Sequence, residues 1–222
     1  MIIPAALLVV AKAPIPGLAK TRLAATLGDI AAADIAAAAL LDTLDAVADS
    51  PAAARVVALT GNLDDARCAD QIRSRLSDFT VIPQRGDGFA ERLANAHLDA
   101  ARGLPVVQIG MDTPQVDAEL LARCAERLDG HDAVLGMAHD GGWWVLGVRD
   151  AASAQCLRDV PMSAPDTGTL TLEALRRKGL RVALTEELGD VDTIDDIGVV
   201  RDVCRPSSRF HRITATVSAG EA

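Results

Sequence analysis

Three cations, two prolines and a glycine share one stretch: Lys12-Ala13-Pro14-Ile15-Pro16-Gly17-Leu18-Ala19-Lys20-Thr21-Arg22. An apolar run, Ala5 to Val10, precedes it and an alanine-rich helical run follows. A strand-to-helix turn that offers backbone amides and positive side chains is suited to hold phosphate. Lys12, Gly17, Lys20 and Arg22 are the candidates. A surface loop with solvated cations accounts for the same residues. The stretch is not a Walker A loop. Counting back from Lys20-Thr21, the required glycines fall on Ala19 and Pro14. Nor is there a dinucleotide fingerprint, because Gly86-Asp87-Gly88 lacks its third glycine.

Carboxylates form the second group. Asp112, in Gly110-Met111-Asp112-Thr113-Pro114, stands where a strand is expected to end. A carboxylate there can meet a Mg²⁺ that bridges ligand phosphates, or it can start the next helix as an N-cap. In Asp190-Val191-Asp192-Thr193 two carboxylates alternate, so both point the same way if the backbone is extended. Asp192 or Thr193 would serve equally as a cap, but the further Asp195-Asp196 pair exceeds what one cap needs. In His139-Asp140-Gly141-Gly142-Trp143-Trp144 the glycines allow a ligand to approach the backbone closely. A hairpin turn beside a core Trp is the structural alternative. His97, His131 and His211 show no ligand spacing and are expected to be structural or exposed.

These residues need a scaffold, and the apolar pattern supplies one. Strands are expected at Ala5–Lys12, Arg55–Thr60, Phe79–Ile82, Pro105–Ile109, Asp132–Met137, Trp143–Val148 and Leu180–Leu184. Helices are expected at Asp29–Ala48, Leu63–Leu76, from Gly88 to about Arg102, Asp117–Leu128, Thr169–Lys178 and Ile194–Val203. The alternation predicts an α/β fold with a mostly parallel sheet covered on both faces, and one antiparallel element around Asp140. Ligands bind such sheets beyond the carboxyl ends of the strands. Lys12, Asp112 and Asp140 all fall there. One domain over residues 1–205 is expected, with a loosely held tail from Pro206 to Ala222.

Composition narrows the classes. The 222 residues carry a formal net charge of −9 and only three Phe, two Trp and no Tyr. An acidic chain with few stacking platforms is a poor nucleic-acid binder. The four cysteines include no C-x-x-C pair, so zinc and redox signatures are absent and reduced thiols in a cytoplasmic protein are expected. The opening apolar run is too short to span a bilayer, and no membrane role is expected.

In order, Lys-x-Pro-x-Pro-Gly-x-x-Lys-Thr-Arg-Leu, Gly-Met-Asp-Thr-Pro, Asp-Gly-Gly-Trp and Asp-Val-Asp-Thr-x-Asp-Asp resemble one bacterial family. It is the glycosyltransferase-like family labelled radical-SAM/selenodomain-associated transferase 1, in the nucleotide-diphospho-sugar transferase (GT-A) superfamily. The likeness runs from about Leu7 to Val203. The Asp-Thr-Pro and Asp-Val-Asp-Thr elements also resemble parts of CMP-Kdo synthetase and of molybdenum-cofactor and phospholactate guanylyltransferases. The resemblance implies a three-layer α/β/α sandwich. It implies Lys12, Lys20 and Arg22 as phosphate contacts, Gly17 as the turn that admits them, and Asp112 and Asp192 as ligands of Mg²⁺ or Mn²⁺. Gln84, Asp87 and Arg92 match a family segment, Gln-x-Gly-Asp followed by a helix with an Arg, and of these Asp87 and Arg92 are expected among the nucleotide or phosphate contacts. Asp140, Gly141, Gly142 and Trp143 match the acceptor side. Trp143-Trp144 replaces a commoner pair of tyrosines, which removes two hydroxyls from that side.

Two reactions suit these residues. In glycosyl transfer the metal holds the diphosphate of a nucleotide-sugar and Asp140 serves a hydroxyl acceptor as base. In nucleotidyl transfer a nucleoside triphosphate sits on Lys12, Lys20 and Arg22, and an anionic small-molecule acceptor attacks the α-phosphorus and releases pyrophosphate. The family label favours the first and the basic loop the second. A protein that keeps the fold and binds nucleotide without turnover is the alternative from another class.

Overall fold

A computed structural model describes residues 2–217. The chain opens with β1 (Ile3–Lys12), whose residues from Ala5 to Ala11 are all buried. Near-continuous burial marks a central strand of a parallel sheet. β1 pairs in parallel with β2 (Ala52–Thr60) on one side and with β4 (Val106–Gly110) on the other. β3 (Thr80–Pro83) extends the β2 edge in parallel. Beyond β4 lie β6 (Trp143–Val148), β5 (Ala133–Met137) and β7 (Val182–Leu184). The order in the sheet is β3-β2-β1-β4-β6-β5-β7. β6 is antiparallel to both β4 and β5, while β5 and β7 are parallel. The antiparallel element expected around Asp140 is therefore the β5–β6 hairpin.

Two apolar layers cover the sheet. One face packs Leu7, Val9, Ile109 and Trp144 with helices α2 (Asp29–Asp49), α3 (Ala69–Leu76) and α5 (Ala118–Glu126). The other packs Leu8, Leu135 and Leu146 with α4 (Phe89–Ala101), a 3₁₀ run at Ala151–Asp159 and α6 (Thr167–Arg177). The three-layer α/β/α arrangement follows. Seven alanines of α2, including Ala32, Ala36 and Ala39, are buried, and such small side chains let neighbouring backbones come close. His97 of α4 is fully buried with neither ring nitrogen paired, and burial pushes its pKa down to about 3. It is a neutral core residue. No helix among the described residues is long and apolar enough to cross a membrane.

A third cluster matters most for the site. Leu23 of α1 (Thr21–Leu27), Ile35 of α2, Val191, Ile197 and Val200 of α7 (Ile194–Val203), and Phe210 of α8 (Arg209–Ile213) pack together. The loose tail expected from Pro206 needs correcting as far as residue 217. Phe210 is fully buried, and Asp42 of α2 accepts hydrogen bonds from the backbone N–H groups of Arg209 (3.0 Å) and Phe210 (2.8 Å). Asp42 breaks the apolar pattern of α2 because it holds the first two N–H groups of α8, beside the N-cap Ser208. The segment shows no periodicity because a five-residue helix is too short to display one. Residues 218–222 of the expected tail lie outside the described residues. The expected Asp29–Ala48 helix is α2, but a short helix outside those expected, α1, precedes it across Gly28. Leu63–Leu76 differs from expectation: it is a 3₁₀ turn at Leu63–Asp65 followed by α3.

Candidate functional site

β1 and β4 are parallel neighbours, so the loops after them leave the same end of the sheet. The loop after β1 carries Lys20, and the loop after β4 carries Asp112. Lys20 Nζ stands 2.6 Å from Asp112 Oδ2 and 2.7 Å from Asp192 Oδ1. Arg22 Nη1 lies 3.4 Å from Asp192 Oδ2. The Lys20 side chain is only 12% exposed, against 71% for Arg22. Lys20 takes left-handed backbone angles, φ 48° and ψ 51°, just before α1 begins. A non-glycine residue pays for that conformation, so contacts such as these two ion pairs must hold it.

The third apolar cluster explains why Asp192 reaches this point. Val191 is 1% exposed and packs among Leu23, Ile197 and Val200. In an extended segment its two neighbours must then face the other way, which puts Asp190 and Asp192 on one side. Carboxylate oxygens of Asp112, Asp190 and Asp192 lie within 4.8 Å of one another. Asp190 is the residue that sequence reasoning left out of the site. Its signal is the Asp-x-Asp alternation, which sets both carboxylates on one side, although only Asp192 is counted there as a ligand.

The helix caps fall on neighbours of these carboxylates, and Thr193, the other candidate, is the N-cap of α7. Asp117 caps α5, accepting the Leu120 N–H at 2.8 Å. At α7 the Asp196 carboxylate accepts the backbone N–H groups of Thr193 (2.6 Å) and Asp192 (3.1 Å). Neither Asp112 nor Asp192 is spent on a helix end. Gly110 makes room for the first of them: a Cβ there would lie 2.6 Å from Asp112 Oδ1.

Electrostatics show how crowded the cluster is. Burial, then the charges of Asp112, Asp140 and Asp192, push the Asp190 carboxyl up to about 7, with Lys20 opposing them. Burial pulls the Lys20 ammonium down, but Asp112 and Asp192 outweigh it and raise its pKa. Lys20 is therefore a permanent cation. The donor set, three clustered carboxylates, fits a hard cation such as Mg²⁺ or Mn²⁺.

Asp140, on the β5–β6 turn, lies outside the trio but near enough for its charge to act on Asp190. Segment Leu188–Asp190 runs beside that turn: His139 N–H donates to the Leu188 carbonyl at 3.1 Å, and Gln115 Nε2 donates to the Gly189 carbonyl. Asp140 Oδ1 accepts the Gly142 N–H at 2.8 Å. The turn is also seated on the start of α6. Gly168 N–H donates to the Gly141 carbonyl at 2.8 Å, and a Cβ on Gly141 would lie 1.8 Å from the Pro165 carbonyl oxygen. Trp143 is half-buried against the α4 and α6 layer, while Trp144 is buried on the opposite face and donates its indole N–H to the Glu186 carbonyl at 2.8 Å.

The remaining candidates sit apart from the carboxylates. Lys12 Nζ donates to the Leu18 carbonyl at 2.7 Å and closes the loop that contains Gly17, whose φ is 76°. The Lys12 N–H rests on Met111 Sδ at 3.1 Å. Gln84 donates through Nε2 to the carbonyls of Ala11 (2.8 Å) and Ala58 (2.9 Å), stitching the ends of β1 and β2. Arg92 Nε donates to the Gly86 carbonyl at 3.0 Å, and the Asp87 N–H donates to Glu91 Oε2 at 3.0 Å. Among the described residues no hydrogen bond or ion pair joins Asp87 or Arg92 to the Lys20 cluster.

Comparison with solved structures supports this architecture. A crystal structure from Desulfovibrio desulfuricans G20, described provisionally as a nucleotide-diphospho-sugar transferase, superposes with a TM-score of 0.85 and 26% identity, over 97% of this chain and 95% of its own. CMP:2-keto-3-deoxy-manno-octonic acid synthetase complexed with CTP shares the fold at a TM-score of 0.58 and 12% identity, over 90% of this chain and 97% of its own. The 4-diphosphocytidyl-2C-methyl-D-erythritol synthase of Anaerococcus prevotii DSM 20548 does so at 0.55 and 15%, over 88% and 95%. No curated protein matches the chain by sequence. The profile of one family matches residues 43–164. The chain has the nucleotide-diphospho-sugar transferase fold and belongs to the family described as "Uncharacterized protein conserved in bacteria (DUF2064)".

Proposed function

We propose that the protein is a metal-dependent transferase that uses a nucleotide-activated donor, with a nucleotide-sugar as donor and glycosyl transfer as the reaction. The observation that carries this is the meeting of Lys20 with Asp112, Asp190 and Asp192 at the carboxyl end of the sheet. Open α/β sheets bind their ligands at that end. The likeness to the Desulfovibrio protein, described as acting in nucleotide-diphospho-sugar transfer, supports the same choice of donor.

Asp112 and Asp192, with Asp190 beside them, would hold Mg²⁺ or Mn²⁺. Such an ion neutralises a diphosphate leaving group. Arg22, 71% exposed at the edge of the cluster, is placed to pair with a phosphate oxygen, as is Lys20 once it leaves its carboxylates. Gly17 and the Lys12–Leu18 contact shape the loop over which the phosphates would lie. Asp140 takes the proton of a hydroxyl acceptor as the acceptor oxygen bonds to the sugar's anomeric carbon and the bond from that carbon to the diphosphate breaks. Gly141, Gly142 and Trp143 border the acceptor.

Nucleotidyl transfer is the second assignment. Three cations, Lys12, Lys20 and Arg22, on one loop favour it, because a triphosphate carries more charge to balance. One experiment separates the two. The protein is incubated with Mg²⁺ and either a panel of nucleotide-sugars or a panel of nucleoside triphosphates. Release of nucleoside diphosphate from the first panel is the expected result. Pyrophosphate from the second would establish nucleotidyl transfer instead. Both incubations include a mixture of hydroxyl- and phosphate-bearing small-molecule acceptors. Binding to either panel without turnover in their presence would identify a nucleotide-binding protein and overturn both reactions.

A further inference from the structure

We propose that Lys20 is the resident cation of the carboxylate cluster, holding the metal's place until a phosphate-bearing donor arrives to take the ammonium. The proposal rests on Asp112, Asp190 and Asp192 being the metal ligands, as argued above.

The distances impose the competition. Lys20 Nζ bonds one oxygen of Asp112 and one of Asp192, at 2.6 and 2.7 Å. A Mg²⁺ must stand about 2.1 Å from its carboxylate oxygens. On the same oxygens, ion and ammonium would then face each other within about 5 Å, where two cations repel strongly at low effective dielectric. They cannot share the site comfortably. Lys20 can leave it: its four-carbon stem is flexible, and it hangs from a loop residue rather than from a helix interior. It cannot leave to nowhere, because a buried ammonium that loses its carboxylates needs another anion. A diphosphate lying over the Gly17–Arg22 loop is such an anion, with Arg22 as its second contact.

Two consequences follow. Metal alone binds weakly, since it must expel a paired ammonium. Metal and diphosphate bind with positive linkage, each raising the other's affinity by the same factor. The ammonium also offsets the mutual repulsion of Asp112, Asp190 and Asp192, whose carboxylate oxygens lie within 4.8 Å of one another.

The test uses the full chain and Mn²⁺ alone, with free Mn²⁺ followed by electron paramagnetic resonance. Lys20→Met should bind Mn²⁺ at least about tenfold tighter than the wild type, a change of about 1.4 kcal/mol. Arg22→Met removes a neighbouring positive charge without vacating the cluster and should change affinity by less than about threefold. If Arg22→Met tightens binding as much as Lys20→Met, general charge and not occupancy is responsible and the proposal fails. Equal affinity in the wild type and Lys20→Met overturns the proposal but leaves the metal site standing. No Mn²⁺ binding in either overturns both. A wild-type measurement guards against a variant that does not fold. The chain has three lysines, Lys12, Lys20 and Lys178. Saturating Mn²⁺ should raise the rate of reductive methylation of Lys20, read by mass spectrometry against the exposed Lys178, by roughly threefold or more as the amine is set free from its ion pairs. An unchanged ratio refutes displacement.

Discussion

Gly141→Ala probes the contact that seats the Asp140 turn, and the structure sets its cost. Gly141 has φ 88°, and its added Cβ would fall 1.8 Å from the Pro165 carbonyl oxygen. A carbon and an oxygen in ordinary contact stand about 3.3 Å apart or more, so something must open by about 1.5 Å. The Pro165 loop and the Gly168–Gly141 hydrogen bond at the start of α6 are what must give. Two costs add. The left-handed conformation costs a Cβ-bearing residue about 1–2 kcal/mol. Overpacking against backbone costs about 1–3 kcal/mol more. The reduced freedom of the unfolded chain returns about 0.4–1 kcal/mol. A net loss of roughly 2–4 kcal/mol is expected. Gly179→Ala is the matched control, because Gly179 has φ 79° but nothing within 4 Å of an added Cβ. It should cost only the conformational part, about 1 kcal/mol. Urea unfolding of both variants, compared at a common slope, isolates the steric term. If Gly141→Ala costs no more than Gly179→Ala, the turn is not pressed against Pro165, and the placement of Asp140 beside Asp190 loses its support.

Asp112→Asn and Asp192→Asn should each abolish the Mg²⁺ dependence of nucleotide binding in a titration calorimeter, and the double variant should be little worse than either, because a shared ion makes the losses non-additive. Full additivity would argue against one shared ion. The Asp190 carboxyl is raised to about 7 from an ordinary 3.8, so the metal-free folded protein binds more protons than the unfolded chain between those values. Its stability should therefore fall as pH rises from about 4 to 7 and level off above, and Asp190→Asn should flatten that slope in urea melts taken across the window. A wild-type slope that survives the substitution assigns it to other groups. Phe210→Ala should lower stability by about 3–5 kcal/mol, the usual cost of emptying a buried aromatic site; a loss below about 1 kcal/mol would mean that the C-terminal segment is loosely held after all.

Much of this protein is legible in its chain because the signals are local. The apolar run at Ala5–Val10 becomes β1, which extends it by two residues at each end, while Trp143–Val148 becomes β6 and Ile194–Val203 becomes α7 at their expected limits. Periodicity reports which side of an element meets the core, and burial is what folds the element. The alternation of strands with helices carried the layered sheet in the same way. Local signals stop short of the site. That Asp112 is a partner of Lys20 and not a cap depends on Asp117 taking the cap. That Asp190 belongs with Asp192 depends on Val191 finding a pocket among Leu23, Ile197 and Val200. The docking of α8 depends on Asp42, which lies 168 residues before Phe210. Lys20 meets carboxylates 92 and 172 residues away in the chain. A sequence displays which residues can carry charge and where each turn falls. Which charges face one another is decided by packing between elements that are distant in the chain, and only the folded molecule contains that information.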